Sequence, residues 1–481
     1  MTAAVVLGGG MAGLLAAGVL ADHVDEVVVV EGDQYPEEPG ARRGLPQGHH
    51  NHLFMKGGAD ALDELLPGTT DLLRAAGAQQ RGLPHDILTR GPRDWFERNP
   101  TDTWLLLMSR AVLDHVVRGQ ALRNPKLTVR QHTKVVGLVG DARRVTGVRV
   151  EREGPAADAE ASEETLPADI VVDATGRSAR TPQWLEELGV PAVEEDKVDA
   201  GFAYASRWYR APADTPEDFP GVMIQVQQGT GRPGRGVALL PNEGGKWIVT
   251  QFGSKGGEPP TDEKDFATYS GDWDHPVIAR LLARATPLTG IRSYRGMHNR
   301  WRHYEKARLP EGFLVIGDAF AALNPTYGTG MTVSARSALV LRTELRRTGL
   351  TPDLGRRVHK GIAKIVAFAW QSSAGNDVLF PGAESTLPVR AEKFQTWFGA
   401  RISQVAARNR TVSNTTFSVG TFIAPPTRMA SLGYLWRILR GPRRPALTAE
   451  QAIAQFPGFG TLIEDPAAVP VSHPSDTGRT R

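Results

Sequence analysis

The chain of 481 residues has no cysteine, so disulfides, thiolate catalysis and zinc–sulfur sites are excluded. It has no apolar run near the roughly 20 residues that a bilayer-spanning helix needs. The chain enters an apolar, strand-like run by Ala3, which leaves no room for a signal peptide and makes the expected location cytoplasmic. Charge of a single sign is also scarce. With 56 Lys and Arg against 53 Asp and Glu, the formal net charge is only +3, which by itself proves nothing about nucleic acid, and no such partner is expected. The length allows two or three domains with ample core. What the chain has in quantity is glycine, at 52 positions, and the informative point is where these fall.

Ala3-Ala4-Val5-Val6-Leu7 is an apolar run of the kind a buried parallel strand needs. Gly8, Gly10 and Gly13 follow at GxGxxG spacing, with Met11 and Ala12 between them, and residues 14–20 continue as an apolar helix. Such glycines allow a tight turn, close approach of backbone to phosphate, and close packing of helix on sheet. The helix N-terminus attracts a pyrophosphate. Val27-Val28-Val29-Val30 makes a second strand ending at Glu31, the place where an acid accepts hydrogen bonds from ribose hydroxyls. A second match, Gly229-Thr230-Gly231-Arg232-Pro233-Gly234, lies between two strand-like runs with no helix opening, and reads as a hairpin loop. One dinucleotide fold is therefore expected, with no separate domain for NAD(P)H.

Some 300 residues later, Phe313-Leu314-Val315-Ile316 reads as a buried strand leading into Gly317-Asp318-Ala319. Asn324-Pro325-Thr326-Tyr327-Gly328-Thr329-Gly330-Met331-Thr332 then opens a helix. A carboxylate at a strand end, followed by a glycine-rich loop, suits the ribityl chain and ring of FAD. Together the two turns describe one cofactor gripped from both ends. With no cysteine, and no histidine before the first turn, the FAD is expected to be non-covalent. Ile170-Val171-Val172-Asp173-Ala174-Thr175-Gly176-Arg177-Ser178 is a third strand ending in an acid and a turn.

These three segments resemble the dinucleotide turn, second nucleotide-binding motif and ribityl-binding motif of class A flavin monooxygenases. Further similarity, in Arg43-Gly44-Leu45-Pro46-Gln47, Glu64-Leu65-Leu66-Pro67-Gly68 and 299–305, points to the bacterial epoxidases that oxidise polyene polyketides on the way to polyether ionophores, and distantly to squalene epoxidases. It covers roughly residues 1–350. The resemblance implies an α/β fold: a Rossmann-like FAD-binding domain of the glutathione-reductase and p-hydroxybenzoate-hydroxylase type, an antiparallel-sheet substrate domain, and a helical C-terminal segment. The expected division is 1–70, 100–190 and 290–350 for FAD, 71–99 and 191–289 for substrate, 351–465 for a helical cap, and 466–481 for a disordered tail. It implies FAD held by Gly8, Gly10, Met11, Ala12, Gly13, Glu31, Arg43, Arg110, Asp173, Asp318, Pro325, Gly328, Gly330 and Met331. The implied reaction inserts one oxygen atom of dioxygen through a flavin hydroperoxide. Electrons would come from NAD(P)H or a partner flavin reductase.

Where epoxidases of this branch carry a small residue, Arg-His and Ala-His, the chain has Gly48-His49-His50-Asn51-His52. That departure leaves the substrate open, an apolar small molecule, free or as an anionic or carrier-bound form. Gln47, His49 and His50 are expected near the flavin, with a purely structural role as the alternative. His49 and His52 have no carboxylate or cysteine nearby to complete a metal site, and none is expected. Ser109 is a good N-cap for a helix with Val112, Leu113, Val116 and Val117 on its apolar face. A cation in its first turn, Arg110, opposes the helix dipole and so is read as serving an anion, against the alternative of an exposed surface arginine. Residues 151–169 read as a solvated hairpin loop. Residues 393–449 contain no acid against nine Lys or Arg, either a solvated basic face or a surface for an anionic substrate, carrier protein or lipid. Three other reactions stay open: hydroxylation of an activated carbon, cyclisation with FAD in a structural role, and halogenation, for which a Trp-x-Trp-x-Ile-Pro segment is missing.

Overall fold

The computed structural model describes residues 1–152, 163–271, 276–388 and 392–463. Its first layer is a five-stranded parallel sheet in the order Phe313–Val315, Ile170–Asp173, Ala3–Leu7, Glu26–Val30, Leu127–Arg130. The three inner strands are short runs of mainly Val, Ile and Ala because both faces are covered, while the edge strand Leu127–Arg130 alternates with exposed polar residues. The helix Met11–Ala21 covers one face and is apolar nearly all round, since Gly330–Thr348 packs on its far side.

The strands Thr133–Gly140, Val145–Arg152 and Glu163–Pro167 form an antiparallel meander. The last of these corrects the expected loop over 151–169, of which residues 153–162 lie outside the described residues. Only Leu166 of this strand is buried, so its sequence shows no apolar alternation. Its charges match the neighbours instead, Glu163 with Arg149 at 3.2 Å and Glu164 with Arg130 at 2.6 Å.

The largest sheet has seven strands, with Ala203–Arg210, Lys246–Gly253, Arg235–Asn242 and Gly221–Ile224 as its antiparallel body. Ile87–Arg90 adds to it in parallel at Gly221–Ile224. The segment 229–234 joins two antiparallel strands, as its sequence context predicts, and opens no helix. The chain then turns helical, with Leu354–Asp377, Glu392–Arg408, Arg410–Gly420 and Leu432–Arg440. The expected tail over 466–481 lies outside the described residues. Among the described residues, no helix is long and apolar enough to cross a membrane.

Candidate active site

A cavity of about 1490 Å³ is lined by residues of the parallel sheet, the seven-stranded sheet and the C-terminal helices. Pockets for a single drug-sized ligand run to roughly 300–1,000 Å³, so there is room for a large cofactor and a second molecule.

One end is polar. Gly8 takes φ +94°, and a Cβ there would stand 2.7 Å from the Ala174 carbonyl oxygen; a Cβ on Gly13 would stand 1.9 Å from that of Gly8. Both glycines let backbones close on one another. Gly10 is different: nothing lies within 4 Å of its Cβ position, because it faces the cavity. Glu31 is held at the same end. Its Oε2 accepts from the Gly9 N–H at 2.9 Å and from Arg42 at 3.1 Å, and its Oε1 accepts from the Asp33 N–H at 2.9 Å. Oε1 therefore keeps capacity for one more donor. Arg42 is buried between Glu31 and Asp114, and its guanidinium lies 5.0 Å from the Tyr35 ring, whose hydroxyl donates to the Gly9 carbonyl at 2.9 Å.

Two charged residues with no hydrogen-bond partner among the described residues line the cavity further along. Arg110 is the first residue of the helix Arg110–Ala121, whose Ser109 cap accepts from the Val112 N–H at 3.2 Å. It is buried, and among the described residues it makes no hydrogen bond or ion pair, so burial holds its pKa below the ordinary value. Asp318 reaches the cavity from the turn after Phe313–Val315, and among the described residues its carboxylate accepts no hydrogen bond. The helix Gly330–Thr348 opens at the same place, and Thr329 gives it no side-chain cap. A lone buried cation, a free carboxylate and an uncapped helix N-terminus fit an anionic ligand that also carries hydroxyl groups.

His52 stands beside Arg110. Its Nδ1 lies 2.9 Å from the His50 carbonyl oxygen, so that nitrogen carries the proton and Nε2 is left as an acceptor. Burial, with the Arg110 cation adding to it, pushes its pKa down to about 3, and the ring is neutral. Gln47 and Asn51 line the cavity with it.

The other end is apolar. Met223, Ile224, Val237, Leu240 and Phe252 line one wall, and Phe96, Ile402, Ala406 and Phe417 another. Where the two ends join, Tyr327 and Thr326 line the cavity above a buried network. Asp377 Oδ1 accepts from Tyr327 at 2.8 Å, and Oδ2 accepts from Asn299 at 2.7 Å and Asn324 at 2.8 Å. Tyr204 donates to Thr326 Oγ1 at 2.9 Å. Burial outweighs the three donors and pushes the Asp377 carboxyl up to about 6.

The FAD binding domain family matches residues 1–348 of the chain. The chain belongs to that family. Protein Rv3254 of Mycobacterium tuberculosis is 32% identical over 385 residues, covering 78% of this chain and 80% of that protein. A flavoprotein/dehydrogenase from Cytophaga hutchinsonii shares the fold with a TM-score of 0.62 at 16% identity, over 89% of this chain and 94% of that one. The p-nitrophenol 4-monooxygenase PnpA of Pseudomonas putida gives 0.60 at 17%, over 92% and 100%. The Diels-Alderase PyrE3 of pyrroindomycin biosynthesis gives 0.59 at 18%, over 88% and 81%. Flavin-dependent halogenases have the same fold. The whole chain thus has the architecture of an α/β flavoprotein with an added antiparallel sheet, as the sequence predicts.

Of the residues expected at the FAD, Gly8, Gly10, Met11, Ala12, Glu31, Arg110, Asp318, Pro325, Gly328, Gly330 and Met331 line the cavity. Gly13 lies beneath the turn. Arg110 is not the exposed surface arginine of the alternative reading. Arg43, Asp173, His49 and His50 do not line the cavity. Arg43 is exposed and off the cavity, because the two acids that need a cation, Glu31 and Asp114, are met by Arg42. Asp173 is buried off the cavity, where it accepts from the Thr175 N–H at 2.8 Å, the Thr175 hydroxyl at 2.6 Å and the Thr181 hydroxyl. It shapes the turn whose Thr175, Gly176 and Arg177 do line the cavity. Of His49, His50 and His52, His49 is exposed, His50 is buried with Nδ1 2.8 Å from Ser206 Oγ, and His52 lines the cavity, as does His298 from another segment.

Proposed function

We propose that the chain is an FAD-dependent monooxygenase acting on an apolar small molecule, with epoxidation of an alkene in a polyketide or terpenoid intermediate as its reaction. The observation that carries this reading is the apolar chamber continuous with the polar, glycine-lined end of the same cavity. Bound FAD supplies the activation of dioxygen. The protein's part is to bind, orient and exclude water. Gly8, Gly10 and Gly13 shape the turn for the pyrophosphate, with Arg110 as the nearby cation. Glu31 and Asp318 accept from hydroxyls at the two ends. The N–H groups of Gly330, Met331 and Thr332 stabilise negative charge at the ring. Met223, Val237 and Phe252 hold an apolar substrate and keep water from it. His52 Nε2 offers a neutral acceptor at the polar side.

The Diels-Alderase among the structural neighbours supports a second reading, in which the chamber folds a polyene and FAD is structural. One experiment separates them. The FAD-loaded protein is given a reductant, candidate polyenes and ¹⁸O-labelled dioxygen. One labelled oxygen per product molecule is expected. Cyclised product without dioxygen uptake would select the second reading, and a halogenated product in the presence of halide would reject both.

A further inference from the structure

The helices Glu392–Arg408 and Leu432–Arg440 pack together through Ile402, Val405, Tyr434 and Ile438. A helix on a protein surface ordinarily turns polar residues outward. Leu432–Arg440 buries Tyr434 and Ile438 but turns apolar residues outward as well: Leu432 is 88% exposed, Trp436 53% and Leu439 63%. On the neighbouring helix, Phe394 is 59% and Trp397 48% exposed, and Arg401, one turn further on, donates to the Ile438 carbonyl at 3.2 Å. The apolar groups are set among cations. Arg440 and Arg443 lie over the Trp436 ring at 5.0 and 5.8 Å. Of the nine Lys and Arg in 393–449, Arg408 and Arg444 are committed to Asp94 and Glu97. Among the described residues, Arg428, Arg440 and Arg443 have no acidic partner.

We propose that this face docks on an anionic lipid bilayer. Apolar side chains that enter the headgroup region, flanked by Trp and Arg at its level, are the pattern of an interfacial helix. A leucine as exposed as Leu432 is a protrusion. A fluid bilayer accommodates it, whereas a folded partner needs a matching pocket. The surface also adjoins the FAD cavity. A smaller chamber of about 560 Å³, lined by Glu392, Lys393, Trp397 and Arg401, shares Arg93, Leu379, Thr396 and Ala400 with the large one.

The test needs no turnover and stands apart from the proposed reaction. The FAD-loaded full chain is floated with vesicles of phosphatidylcholine alone, or with one part in three of phosphatidylglycerol. Partition into the anionic vesicles should exceed that into neutral ones by about tenfold or more, and fall with salt. The variant Leu432→Ser/Trp436→Ser/Leu439→Ser should lose most of this binding with its flavin spectrum and Tm unchanged. Arg440→Gln/Arg443→Gln should bring anionic vesicles toward the neutral level. Equal or absent partition, variants that float like the parent, or capture by an acidic carrier protein without vesicle binding would overturn the proposal.

Discussion

Arg110 and Asp377 are both buried and ionisable, and they differ in what completes them. Arg110 has no hydrogen-bond or ion-pair partner among the described residues. Arg110→Ala should leave the FAD-free protein at least as stable, because it removes an unpaired buried cation. FAD affinity should fall about tenfold to a hundredfold, the worth of a charge-assisted hydrogen bond, as measured by titrating FAD into the stripped protein. Asp377 already has its donors, yet burial holds its folded pKa at about 6, above the ordinary 3.8. The stability from its proton is fully present below 3.8 and lost as pH rises through about 6. That amounts to about 3 kcal/mol at most. Asp377→Asn keeps a neutral acceptor for the two asparagine amides and can donate to Tyr327. It should abolish that part of the slope, read as the difference between parent and variant in urea unfolding at pH 4.5 and 7. The glycines were legible in the sequence because backbone sterics leave little choice at a phosphate turn. Which of Arg42 and Arg43 turns inward was not, nor which histidine of His49, His50 and His52 faces the cavity. Adjacent residues in an irregular segment carry no period to separate them.

At the scale of single elements, the helix Arg110–Ala121 is where sequence reasoning was strongest. Its cap, apolar face and first-turn cation are all local. Ser109 also donates its N–H to Glu243 at 3.0 Å, tying the helix start to the turn between two strands of the large sheet. Ser109→Ala keeps that backbone bond and removes only the cap, so thermal or urea unfolding should register a loss of about 1 kcal/mol. A loss above about 3 kcal/mol would mean that the side chain does more than cap. The strand Glu163–Pro167 marks the opposite case. Its partner strand and two arginines specify it, and none of these is visible within its own five residues. The Asp377 end of the helix Leu354–Asp377 was equally hidden. Its partners Asn299, Asn324 and Tyr327 lie 50 to 78 residues earlier in the chain.

For the whole molecule, four strands of the parallel sheet were legible because each is an apolar run ending in a recognisable turn, whereas Leu127–Arg130, half polar and partly exposed, was not. The apolar chamber was not, since its walls come from segments as distant as Phe96 and Ala406. The same dispersion has a consequence for how the protein is made. The central strand Ala3–Leu7 pairs on one side with Glu26–Val30, which follows it at once. Its other partner, Ile170–Asp173, lies about 160 residues downstream. At the usual pace of synthesis, roughly 5–20 residues per second, that edge stays bare on the ribosome for about 8–30 s. A bare edge of Ala-Ala-Val-Val-Leu is an invitation to intermolecular pairing. Chains stopped at residue 165 should therefore aggregate or remain bound to chaperones, in a pulse-labelled translation followed by sedimentation. Chains extended through residue 350 should be released soluble. Slowing translation before residue 170 should lower the yield of flavin-loaded protein, and slowing it after 350 should not.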